Sequence, residues 1–317
     1  MSTRELSDRP PLVDLHCHGA LGHEFGRDTA GSSSAAAHHR AAGVGSLVAS
    51  LVSGTPDTLV AQVATLAPLV ARGEIAGIHL EGPFLSEERR GAHDPSVLTD
   101  PDLRLVEALV ATCAEAGVPD AVVQWTFAPE RPGSGELVAA LARHGILPAV
   151  GHTDAPASVV ADSLAAIADA CGRPPLVTHL FNGMPADHHR AGGPVAAALA
   201  SAARGNCVVE LIADGVHVAP DVVRMVFETV GPERIALVSD AMAATGLGDG
   251  AYTIGTLDVE VAAGVARLAD GGSGRGSIAG STSTLADCVR WAVDVAGLPE
   301  ADVLMAATTT PASVLSA

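Results

Sequence analysis

Two histidines stand two residues apart at His16 and His18, and a His-x-Glu pair follows at His79 and Glu81. Farther along come Gly151-His152-Thr153, Thr178-His179-Leu180, Asp214-Gly215-Val216-His217 and Ser239-Asp240. Taken as metal ligands, these residues offer imidazole nitrogens and carboxylate oxygens, the donors preferred by Zn, Fe, Ni, Co or Mn. A divalent ion in such a set can turn water into a nucleophile near neutral pH, so the chemistry in reach is metal-assisted hydrolysis. Cys17, Cys113, Cys171, Cys207 and Cys288 lie far apart with no Cys-x-x-Cys pair. That excludes a structural cysteine site and a disulfide framework.

The elements that must position these residues are short β-branched runs alternating with longer Ala- and Leu-rich helical runs. The predicted strands are 12–18, 46–53, 77–81, 121–128, 146–152, 176–182, 207–213 and 235–240. Between them fall helical stretches at 56–72, 101–117, 136–145, 156–171, 193–204 and 220–230, several opening on Pro and closing at Gly. Eight strands in strict alternation predict a (β/α)8 TIM-like barrel of the α/β class, with an open doubly wound sheet as the alternative. Six of the eight strands end in one of the polar residues above, and strand C-termini are where a barrel gathers its active site. His16 and His18 share one face of their strand, and Cys17 points away into packing. Only Glu81 of the His79–Glu81 pair reaches the strand end, so His79 reads as a supporting core residue. Asp214 reads as a turn-former, and His38-His39 lies in a helical stretch with no assigned role. A Gly-rich segment, 246–276, predicts a β-hairpin insertion after the eighth strand, with the last helices starting near Ser281. Residues 1–317 read as one domain.

Hydrophobic residues make up 48% of the 317 residues against 17% charged, enough for a large core. The net charge of −18 argues against nucleic acid and anionic membranes as partners. It also means that an anionic substrate needs a local cationic pocket. The first residues, Met1-Ser-Thr-Arg-Glu-Leu-Ser-Asp, show no apolar leader, and no apolar run is long enough to span a bilayer. The cytoplasm is the expected location.

Five segments are shared with a known family: His79-Leu-Glu-Gly-Pro-Phe, Thr178-His-Leu-Phe-Asn-Gly-Met, Glu210-Leu-Ile-Ala-Asp-Gly-Val-His, Val238-Ser-Asp-Ala-Met-Ala-Ala-Thr-Gly and Ala279-Gly-Ser-Thr. In them the chain resembles the N-acetylglucosamine-6-phosphate deacetylases of the amidohydrolase superfamily, from about Leu12 to Leu315. The resemblance implies that Glu81, His152 and His179 hold the catalytic divalent metal, zinc first among the candidates. It implies that His16 and His18 can hold a second ion, and that Asp240 is the general base and acid. An unreactive acetamide makes the same demand, since a carboxylate must take a proton from water and return it to the leaving amine. The implied substrate contacts are Ala92 and His93 at the sugar and its amide, and Asn182 and Gly183 at the phosphate end. Arg190 matches a phosphate-binding arginine, His217 a further substrate contact, and Ile278, Ala279, Gly280 and Ser281 a pocket wall. A phosphorylated amino sugar as substrate and a homodimer follow from the same resemblance. Asn182 is followed by Gly where the family has Ala, and about eleven residues precede Leu12, so the family's small β-sandwich domain is expected to be absent.

Overall fold

The computed structural model describes residues 10–269 and 276–316. Eight parallel strands form one sheet in sequential order: β1 (Leu12–Cys17), β2 (Val44–Val52), β3 (Gly77–Glu81), β4 (Val122–Phe127), β5 (Leu147–Val150), β6 (Leu176–Val177), β7 (Val208–Ile212) and β8 (Ile235–Val238). The sheet closes where Cys17 bridges Ala241, with Asp240 N–H donating to the His16 carbonyl at 2.9 Å and His18 N–H to the Ala241 carbonyl at 2.7 Å. The barrel is therefore observed, and the open sheet is not.

Each strand is followed by a helix that covers the outside: α1 (Thr29–Ala41), α2 (Pro56–Ala71), α3 (Leu103–Glu115), α4 (Ser134–Arg143), α5 (Ala157–Cys171), α6 (Pro194–Ala203), α7 (Pro220–Val230) and α8 (Leu285–Asp294), with α9 (Glu300–Ala307) and α10 (Thr309–Leu315) at the end. β1 and β7 are buried at every position, as expected for parallel strands packed on both faces. Helix α7 buries Val223, Val226, Phe227 and Val230, an i, i+3, i+4, i+7 stripe facing the sheet. Helix α8 starts at Leu285 rather than near Ser281, because Thr284 and Asp287 form a reciprocal capping box there.

Three predicted strands end early, and the reason bears on the site. The fifth stops at Val150, the sixth at Val177 and the eighth at Val238. Beyond them His152, His179 and Asp240 take φ values of 47°, 25° and 50°. A left-handed residue cannot continue a strand, and a non-glycine residue is rarely found there. Such strain gathers at functional positions where surrounding structure holds it.

The predicted hairpin insertion is a three-stranded antiparallel sheet, β9 (Gly250–Ile254), β10 (Leu257–Ala262) and β11 (Val265–Leu268). The third strand forms because Asp249 accepts from the N–H groups of Ala263 (2.7 Å) and Gly264 (3.0 Å), fixing the turn that sends the chain back. Residues 270–275 of the expected insertion lie outside the described residues. The sheet packs on a small core of its own, Met242, Ala244, Ile254, Val259, Val261, Ala266 and Ala279.

Candidate active site

Glu81 ends β3 and lies almost wholly buried at the mouth of the barrel. Its Oε1 lies 2.9 Å from His152 Nε2 and 2.8 Å from His179 Nε2. Its Oε2 lies 3.1 Å from His18 Nε2 and 3.6 Å from His16 Nε2. One carboxylate thus faces two pairs of imidazoles, one pair with each oxygen. Asp240 Oδ1 joins the second pair, 3.3 Å from His18 Nε2 and 3.5 Å from His16 Nε2.

Hydrogen bonds to the far ring nitrogens fix which nitrogen His152 and His16 turn toward the carboxylates. His152 Nδ1 donates to the Arg89 carbonyl at 2.7 Å, so its Nε2 carries a lone pair aimed at Glu81. His16 Nδ1 donates to Glu210 Oε2 at 3.1 Å, which leaves Nε2 a lone pair toward Glu81 and Asp240. Acceptors facing acceptors at these distances repel unless a cation lies between them. The donor set therefore fits divalent metal, and two groups meet ligand spacing: Glu81 with His152 and His179, and Glu81 with His16 and His18. His93 is the opposite case. The Ser53 N–H points at its Nδ1 from 3.2 Å, so Nε2 holds the hydrogen and faces Glu81 Oε2 at 3.4 Å. Burial pushes the His93 pKa down to about 4, which keeps it a neutral donor.

Charge is distributed to match. Burial works against a charge on His16, yet the Glu81 and Asp240 carboxylates hold its pKa well above the usual histidine range, so a proton on Nε2 answers them until a metal ion displaces it. Burial likewise raises Asp240, but His16 and His18 outweigh it and keep the carboxylate ionised. His217 Nδ1 donates to Asp214 Oδ2 at 2.8 Å, and its Nε2 faces Asp240 Oδ2 at 3.9 Å. Asp214 forms the expected turn, accepting from the N–H groups of Val216 and His217, both at 2.9 Å.

A cavity of about 370 Å³ opens above these groups. Of the residues expected at the site, Glu81, His18, His152, His179, Asp240, Ala92, His93, Asn182, Gly183, His217, Ile278 and Gly280 line it. His16 lies fully buried beneath. Gly183 packs so tightly on the His152 ring that an added Cβ would fall 2.6 Å from Nδ1. Three expected residues do not face the cavity. Ala279 is buried in the core of the inserted sheet, and Ser281 donates to Asp214 Oδ2 at 2.8 Å. Arg190 lies in an exposed stretch, where its backbone N–H meets His188 Nδ1 at 3.3 Å. The arginine among the lining residues is Arg89, paired through Nε with Asp154 Oδ1 at 2.5 Å.

Beneath the cavity His79 donates and accepts between Ser50 Oγ (2.9 Å) and Thr126 Oγ1 (2.7 Å), the supporting core role expected of it. Sequence reasoning gave no role to Arg89, Gln124 or Glu210. Glu210 did leave a signal, since it is a carboxylate inside the apolar run 207–213.

If each half holds its own ion, His16→Asn/His18→Asn removes the ligands of one half only. Metal analysis of that double variant should fall to about one equivalent per chain. Loss of all metal would show that His152 and His179 do not form a site of their own.

A parallel barrel whose strand ends gather imidazoles around a shared carboxylate defines a metal-dependent hydrolase of the amidohydrolase type. No family model matches the chain. N-acetylglucosamine-6-phosphate deacetylase of Mus musculus is 33% identical over 316 residues, covering 96% of this chain and 74% of the relative. N-acetylgalactosamine-6-phosphate deacetylase of Escherichia coli O157:H7 is 31% identical, covering 96% and 77%. Among solved structures, a variant N-acetyl-D-glucosamine-6-phosphate deacetylase from Mycobacterium smegmatis, in complex with N-acetyl-D-glucosamine-6-phosphate, superposes with TM-score 0.86 at 42% identity, covering 97% of this chain and 77% of that one. The chain belongs to the N-acetylglucosamine-6-phosphate deacetylase family of the amidohydrolase superfamily.

Proposed function

We propose that this protein hydrolyses N-acetylglucosamine 6-phosphate to glucosamine 6-phosphate and acetate, with Asp240 as general base and then general acid. The observation that carries the reading is the Glu81 carboxylate set between two imidazole pairs, with the ionised Asp240 at the edge of the second pair. A divalent ion held by Glu81, His152 and His179, and a second by His16 and His18, would polarise the acyl group and make water acidic enough to ionise near neutral pH. Asp240 takes the proton from water as its oxygen bonds to the acetyl carbon. The same carboxyl returns that proton to the sugar nitrogen as the C–N bond breaks. His93 offers Nε2–H as a donor for the acyl oxygen, and His217, fixed by Asp214, lines the same cavity beside Asp240 and can meet the substrate there. Zinc is the proposed metal, and the N/O donor set equally admits Fe, Ni, Co or Mn.

The phosphate must be drawn by local charge, because the whole chain carries −18. Hydrogen bonds to charged groups contribute roughly 1.5–3 kcal/mol. If Arg190 reaches the phosphate, Arg190→Ala lowers kcat/KM for the 6-phosphorylated sugar by about ten- to a hundredfold and leaves the unphosphorylated sugar nearly unchanged. Steady-state assays on both sugars check this, with Arg89→Ala run in parallel because Arg89 lines the cavity. Equal losses on both sugars would assign Arg190 to the fold, and a selective loss only in Arg89→Ala would move the phosphate site to that residue. The relative that acts on N-acetylgalactosamine 6-phosphate supports a second reading, the epimeric substrate. Comparing kcat/KM for the two epimers separates these readings, and activity on neither would sink both.

No helix among the described residues is long and apolar enough to cross a membrane. The proposal carries with it a cytoplasmic location, where phosphorylated sugars are made and retained, and a homodimer, which sedimentation analysis can test.

A further inference from the structure

Glu210 stands in the middle of β7, fully buried, and points into the barrel below the metal ligands. Its Oε2 accepts from His16 Nδ1 (3.1 Å) and from the His179 backbone N–H (3.2 Å). Its Oε1 accepts from Gln124 Nε2 at 2.9 Å. Among the described residues its ion-pair partner is His16, and no Lys or Arg stands beside it. A carboxylate taken so far from water is costly unless its charge is used by its neighbours.

We infer that Glu210 is the positioning residue that enables the His16–His18 half of the centre to hold its ion. The inference rests on the metal reading above. An ionised carboxylate only accepts, so its contact fixes the hydrogen of His16 on Nδ1 and leaves Nε2 free to bind metal. A carboxylate on the far nitrogen also raises the basicity of the ring, which strengthens the ligand. The other ion does not depend on Glu210 in this way. His152 has its own acceptor in the Arg89 carbonyl, and at His179 Glu210 holds the backbone N–H and not the ring. The single carboxylate therefore acts on the ring of one ligand and on the chain path of another.

The two substitutions that test this separate tautomer from charge. In Glu210→Gln the amide oxygen can still accept from His16 and His179. The new NH2 then meets Gln124, whose Oε1 is buried without a partner and can turn to accept it. Glu210→Ala removes the acceptor altogether. Purified full-length proteins are stripped of metal and titrated with Zn²⁺ against a chromophoric chelator, and their metal-free melting temperatures are compared. Wild type should take up two ions. Glu210→Gln should keep both, with the second held roughly 10–100-fold more weakly, the usual scale for losing a hydrogen-bonded carboxylate behind a ligand histidine. Glu210→Ala should lose the second ion, as His16→Asn/His18→Asn does, and keep the first, whose affinity falls only as far as the lost His179 N–H contact weakens it. Unchanged affinity for the second ion in Glu210→Gln overturns the inference, and so does equal weakening of both ions. If Glu210→Ala does not fold, Glu210→Gln alone decides. A wild type that takes up only one ion also overturns it, whereas a wild type that takes up none removes the metal reading itself.

Discussion

Asp240→Asn should leave metal content near that of the wild type while kcat falls by about two to four orders of magnitude, the scale of a lost general acid–base group. The side chain keeps its size, so the contacts of Oδ1 with His18 and His16 can be kept by the amide oxygen. What disappears is the capacity to take and return a proton. His16 and His18 hold the wild-type carboxyl ionised against the effect of burial, which suits it to begin the cycle as a base. The backbone N–H of Asp240 donates to the His16 carbonyl at 2.9 Å and closes the barrel there, a bond indifferent to the side chain. Steady-state rates together with metal analysis check the expectation. Activity within tenfold of wild type would remove Asp240 from the mechanism.

Glu81→Ala is expected to abolish both sites at once. Each oxygen of Glu81 faces one imidazole pair, so its removal leaves His152 with His179 as a two-ligand fragment, and His16 with His18 beside only Asp240, the group that must stay free to move protons. Two imidazoles make an incomplete set for zinc, which ordinarily takes three or four protein ligands. Metal should fall well below one equivalent and kcat/KM by roughly three orders of magnitude or more, as expected when ionisation of water reverts toward its unassisted value. In contrast, His16→Asn/His18→Asn should keep one ion. If Glu81→Ala retained a full equivalent, Glu81 would be a neighbour of the metal and not its ligand. Thermal melting of the metal-free proteins guards against misreading a fold defect. Removing a buried anion from a cluster of imidazoles should not unfold the barrel, whose core lies in the strand–helix layers below.

Much of this was written in the sequence. Each of the eight barrel strands was legible because parallel strands buried on both faces are short apolar runs bounded by turn residues, and the helices between them open on Pro or a cap. The polar residues at strand ends stood out because little else in those runs is polar, which is how six strand ends could be marked as candidates; their division into ligands and an acid–base group came from the family resemblance. What sequence could not supply were the properties set by closure. The left-handed turns at His152, His179 and Asp240 end their strands early, and only the packed barrel holds non-glycine residues in that region. Tautomers, too, belong to the tertiary structure, since they depend on partners as distant as Glu210 for His16 and Ser53 for His93. The third strand of the insertion required Asp249 to cap a turn fourteen residues away. Arg190 shows the limit from the other side. The family resemblance marked it for phosphate, but whether a guanidinium reaches the cavity depends on the path of an exposed loop, and no local pattern in the sequence encodes that path.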